Sequence, residues 1–163
     1  MKLFLTLCLA IFLTLPASAA RRIGEAQVRS GKSDLPCFTL AEREEQRNGS
    51  PEFQSVTVRD GERIVWHMSM PPERTFPLAS SMCITYGGMV QALPQTPAAV
   101  LESGIVYTVQ LETRPGKSGA TPLRYMARFC LPRRADGGTA VHQIDATDRQ
   151  GRDLLGCLRS LEP

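Results

Sequence analysis

Two histidines, His67 and His142, are the residues best suited to acid–base chemistry in this chain. His142 lies near Asp145, but a Ser-His-Asp relay also needs an activated serine beside them. No Gly-x-Ser-x-Gly turn occurs, and Ser80, Ser81 and Ser103 fall in turn-like stretches without a nucleophile's surroundings. Both histidines therefore read as surface residues. His67-Met68-Ser69-Met70, with Met82 and Met89 further on, carries the imidazole and thioether groups that suit copper. Successive side chains of a strand point to opposite faces, so His67 cannot join Met68 and Met70 from one flat strand, and the methionines read as core packing. Glu42, Glu44 and Glu45 cluster in one charged run and read as solvated, unlike the spaced acid pair of glycoside cleavage. Without a phosphate loop, dinucleotide fingerprint or metal-binding helix motif, the residues point away from an enzyme and imply no cofactor.

The cysteines are more informative. Cys8 lies inside an apolar run, 3–15, that follows Lys2 and precedes Pro16 and the small-residue site Ala17-Ser18-Ala19. That run is shorter than the roughly 20 apolar residues a bilayer span needs, so 1–19 reads as a cleaved secretory signal peptide. Leu5-Thr6-Leu7 lacks the small residues of a lipidation site, so Cys8 is expected to leave with the signal, and no membrane anchor remains. Cys37, Cys83, Cys130 and Cys157 are even in number and contain no Cys-x-x-Cys pair. In an exported chain that implies two disulfides. Three pairings are possible; order along the chain alone favours Cys37–Cys83 and Cys130–Cys157.

Short strands must position these groups. In 63–70, Ile64, Trp66, Met68 and Met70 alternate with Arg63, Val65, His67 and Ser69, the pattern of a half-buried strand carrying the only tryptophan. Before it, 53–58 leads into Arg59-Asp60-Gly61. A three-residue loop there pairs Val58 with Glu62 and Val56 with Ile64, bringing the apolar faces together. Further strands are expected at 35–40, 82–86, 104–113, 123–131 and 140–144, separated by glycine and proline turns. Residues 20–34 read as a flexible leader and 41–47 as an exposed charged loop. Residues 148–160 offer a weak helix or a last strand. The expected fold is all-β: an antiparallel, immunoglobulin-like β-sandwich over 35–163 with two disulfides.

Net charge is +3, and one of those charges leaves with the signal, so there is no basic stripe for nucleic acid. Several short signals then line up: Pro36-Cys37-Phe38, Arg47-Asn48-Gly49-Ser50-Pro51, Trp66, Phe76-Pro77-Leu78, Cys83-Ile84-Thr85-Tyr86-Gly87, Gly104-Ile105-Val106-Tyr107 and Phe129-Cys130-Leu131. Across 35–131 the chain resembles the family of type VI secretion immunity periplasmic lipoproteins, departing from it in the missing lipidation site and the tail with Cys157. The resemblance implies a soluble periplasmic inhibitor that binds a secreted bacterial toxin and occludes its working surface. It supplies no functional residues. Contacts would come from aromatic or arginine anchors in loops 41–51, 71–81 and 114–121, and Arg43, Arg47, Arg74, Phe76, Arg114 and Lys117 are the candidates. The alternatives are a general envelope adaptor that pairs through a sheet edge, or a copper-binding sandwich.

Overall fold

A computed structural model describes residues 22–90, 93–117, 121–148 and 151–158; the expected signal, 1–19, lies outside them. At the centre are β7 (Tyr107–Arg114) and β8 (Arg124–Cys130). Tyr107, Val109, Leu111 and Thr113 are buried while Thr108, Gln110, Glu112 and Arg114 turn outward, and Tyr125, Ala127 and Phe129 continue the buried face on β8. On one side β7 pairs with β3 (Glu52–Asp60), which pairs with β4 (Arg63–Ser69), all antiparallel. On the other side β1 (Gly24–Ser30) starts parallel to β8, with Gly24 opposite Tyr125. It then leaves β8 to pair antiparallel with β2 (Pro36–Leu40), whose far edge carries β6 (Ile84–Thr85). Two short strands attach beside this path, β5 (Phe76–Pro77) on β3 and β9 (His142–Ile144) on β8. A short 3-10 turn (Lys32–Asp34) and helices α1 (Glu42–Asn48) and α2 (Arg152–Leu158) complete the described elements.

This is one curled, mixed sheet, a half-barrel, and it corrects the antiparallel sandwich expected from the strand count. The core shows why it curls. Phe38 on β2 lies 6.3 Å from Trp66 on β4, ring centre to ring centre, although four strands separate them in the sheet. Tyr86 packs edge-on to Trp66 at 5.3 Å, and Phe129 bridges Phe38 and Tyr107. A flat sheet could not bring β2 and β4 together. Rolling it buries Phe38, Trp66, Tyr107 and Phe129 almost completely, and each such side chain is worth about 2–3 kcal/mol in removed apolar surface.

Three further expectations are corrected. The leader is in part a strand: Gly24–Ser30 is β1, with Ala26 and Val28 buried. Where β1 leaves β8, the Gln143 side chain takes the place of a neighbouring strand. Its Oε1 accepts the Val28 N–H at 2.6 Å and its Nε2 donates to Ala26 O at 3.3 Å. The charged run at 41–47 forms α1 rather than a loop. Glu44 there is buried and bonded to both terminal nitrogens of Arg22 at 2.9 and 2.7 Å, so it is not a solvated acid. Of the two alternatives for 148–160 the helix is the one formed, as α2.

The β3–β4 register also differs. Gly61, at φ +55°, and Glu62 form a two-residue turn, Val58 faces Trp66 and Val56 faces Met68. Arg59 pairs with Ile64, so Val65 is an extra residue on β4, a bulge that turns both Val65 and Trp66 inward. Ile64 is thereby expelled from the expected apolar row and is 49 % exposed.

Both disulfides join the cysteines in the order favoured above. Cys37 and Cys83 have Cα atoms 5.5 Å apart, and Cys130 and Cys157 5.7 Å apart. The first ties β2 to the segment before β6, and the second ties the end of β8 to α2.

Candidate functional site

A half-barrel leaves a seam between its end strands, here β4 and β6. Part of the seam is covered. A strap at 94–99 lies along the outer edge of β4: Ser69 N–H donates to Pro94 O (3.0 Å), Thr96 N–H to His67 O (2.9 Å) and Ala99 N–H to Val65 O (2.9 Å). Two prolines in this strap, Pro94 and Pro97, cannot donate to a further strand, which blunts the edge. The Tyr86 hydroxyl spans the seam from the β6 side, 2.8 Å from Ala99 O and 3.2 Å from Val65 O. Burial pushes its pKa up to about 12, so it remains a donor at neutral pH.

Beyond Tyr86 the seam opens into a groove of about 490 Å³. Met68 and Met70 form one wall, Ile84 and Thr85 the other, with Phe76, Leu93 and Met89 between them and Arg74 at the rim. Phe76 is held in place by Phe53, ring centres 5.1 Å apart. Met89 and Val90, which line the groove, are themselves exposed. Of the large apolar side chains left exposed, Met82, Met89 (82 % exposed), Val90 and Val100 all lie within 82–100. Exposed apolar residues that cluster commonly mark a contact surface.

The six candidate anchors do not form one cluster. Arg74 and Phe76 line the groove. Lys117 lines a separate cleft of about 340 Å³ with Gly49, Ser50, Glu52 and Pro77, so it meets the end of loop 41–51 there. Gly116 makes this meeting possible: a Cβ at that position would collide with Ser50 O. Glu45 clamps the same region, accepting from the Ser50 hydroxyl (2.6 Å) and the Ser80 N–H (2.7 Å), and these bonds hold its carboxyl below the usual glutamate range. Arg114 donates from Nε to Gln54 Oε1 at 3.1 Å, Arg43 pairs with Glu25, and Arg47 is exposed on the last turn of α1.

Met89, Val90 and Leu93 were not among the candidates, since 89–100 reads in sequence only as a proline-containing loop; its apolar residues were the available signal. Met68, Met70 and Met89 do share the groove, whereas His67 lies on the opposite face with Nδ1 3.0 Å from Thr57 Oγ1. Among the described residues no group of three or more His, Cys, Asp or Glu is placed to hold a metal ion. No protein family, curated protein or solved structure matches the chain.

Proposed function

We propose that this chain is an exported protein-binding inhibitor, an immunity protein that neutralises a type VI secretion toxin by seating part of it in the seam groove. The observation that carries the reading is the groove itself, an apolar, methionine-lined channel continued by exposed Met89 and Val90. Methionine side chains are unbranched and polarizable, so they fit irregular protein surfaces and are common at binding faces. The sequence resemblance across 35–131 supplies the class of partner. Two disulfides are compatible with an oxidising compartment. Inhibition would follow from occlusion, with most of the affinity in a few well-packed anchors.

The test uses the mature protein and a toxin encoded beside its gene. The wild type should capture the toxin and protect cells that receive it. Met89→Asp places a charge on a side chain that folding leaves in solvent, so it should lose protection while keeping its thermal stability. Equal protection by Met89→Asp rules out the groove, and failure to bind any effector delivered to the envelope rules out the inhibitor.

A further inference from the structure

We infer that the groove takes an extended segment of the partner, apolar at alternate positions and bearing a carboxylate that meets Arg74; this deepens the protein-binding reading and rests on it. Three observations lead there. The first is a backbone donor with no partner among the described residues. Tyr86 N–H bonds to Pro36 O (2.8 Å), and the same register places Thr85 opposite Cys37 and Ile84 opposite Phe38. Bonded and non-bonded pairs alternate along an antiparallel ladder, so Thr85 belongs to a non-bonded pair and its N–H points away from β2, on the groove side. The Thr85 carbonyl is already used, accepting from Gly88 N–H at 3.0 Å. The donor that remains suits an extended chain laid along the edge of β6.

The second observation is the apolar lining. Met68, Met70, Leu93 and Ile84 would receive the inward side chains of such a chain, which alternate with outward ones. The third is charge. Arg74 is exposed at the rim, makes no ion pair among the described residues, and shares the groove lining with no acidic side chain. An unopposed guanidinium beside an apolar channel favours a carboxylate on the ligand.

A displayed library of random dodecapeptides, selected on the full mature protein, tests this. Enriched peptides should alternate apolar residues and carry Asp or Glu. Met89→Asp should weaken them at least about tenfold, and Arg74→Glu by about tenfold, as close charge pairs across interfaces do. Replacing the peptide's acid by lysine should restore binding to Arg74→Glu. Thermal melts of both variants check that they fold. Peptides that need Met89 but ignore the charge reversal overturn this inference and leave the protein-binding reading standing. Peptides and toxin both indifferent to Met89→Asp overturn both. An apolar small molecule retained in the groove by native mass spectrometry, in place of peptide binding, overturns the inference alone.

Discussion

Dithiothreitol acting on the folded protein should open Cys37–Cys83 well before Cys130–Cys157. Chain entropy does not separate the two bridges. Their cysteines lie 46 and 27 residues apart, and closing such loops restricts the unfolded chain by about 4.0 and 3.6 kcal/mol respectively. Access does separate them. Cys37 is buried but its partner Cys83 is exposed beside the groove, whereas Cys130 and Cys157 are both buried with Ile144. A thiolate must reach a sulfur in line to displace its partner, so the exposed bridge reacts from the native state and the buried one waits for opening of the fold. Quenching with iodoacetamide at intervals and mapping the labelled cysteines by mass spectrometry gives both rates. Low urea should leave the first rate unchanged and accelerate the second. The half-reduced protein should still fold, with a melting temperature lower by about 10–15 °C for a loss near 4 kcal/mol. Labelling of Cys130 and Cys157 first, or of all four cysteines together, refutes the reasoning.

Three other outcomes follow from single contacts. Gln143→Leu strands the buried Val28 N–H and Ala26 carbonyl where β1 leaves β8, at a cost of about 2–3 kcal/mol, and the Val28 amide should then exchange with deuterium much faster; unchanged exchange at Val28 speaks against the fork. Tyr86→Phe removes the bond to Ala99 O, costs about 1 kcal/mol, and should bring new protease cuts in 87–100, so an unchanged digest counts against a pinned strap. Glu44 is held below the ordinary glutamate range, first by its bond to Arg22, so its stabilisation is complete above that range and is lost as pH falls through the depressed folded value. Glu44→Gln should therefore lower stability at neutral pH and flatten the acid limb of the melting-temperature profile; identical acid limbs would contradict the assignment.

Much of the β structure is legible in the sequence because it is local. Tyr107-Thr108-Val109-Gln110-Leu111 and Tyr125-Met126-Ala127-Arg128-Phe129 state their inward and outward faces residue by residue, and both strands stand where the alternation puts them. What was missed depends on distant partners. β1 has only Ala26 and Val28 to mark its buried face, and it is a strand because β8 and β2 flank it. α1 looks fully solvated until Arg22, twenty-two residues away, is set against Glu44. The Val65 bulge cannot be read from either strand alone, since it is a mismatch between two registers. The same holds for the groove: Met70, Ile84 and Met89 come from three segments and meet only after the sheet has rolled.

That rolling links the fold to the proposed binding surface. A sheet closed into a complete barrel has no edges, and a flat one exposes two of them. This sheet stops between these limits. Aromatic packing across its hollow draws β2 over β4 and stops when Trp66, Phe38 and Tyr86 are in contact, which leaves β4 and β6 too far apart to pair. The gap has to be filled by side chains and by an added strap. Where Tyr86 and 94–99 fill it, the edge of β4 is sealed by hydrogen bonds. Where they do not, an open groove remains, lined by buried Met68 and by the partly buried Met70, Ile84 and Leu93. An apolar trough left open in this way forgoes the stability that covering it would add, and on the proposed reading a partner segment laid into it supplies that burial on binding. A variant with a longer, better-covering strap should therefore be more stable than the wild type and bind less well.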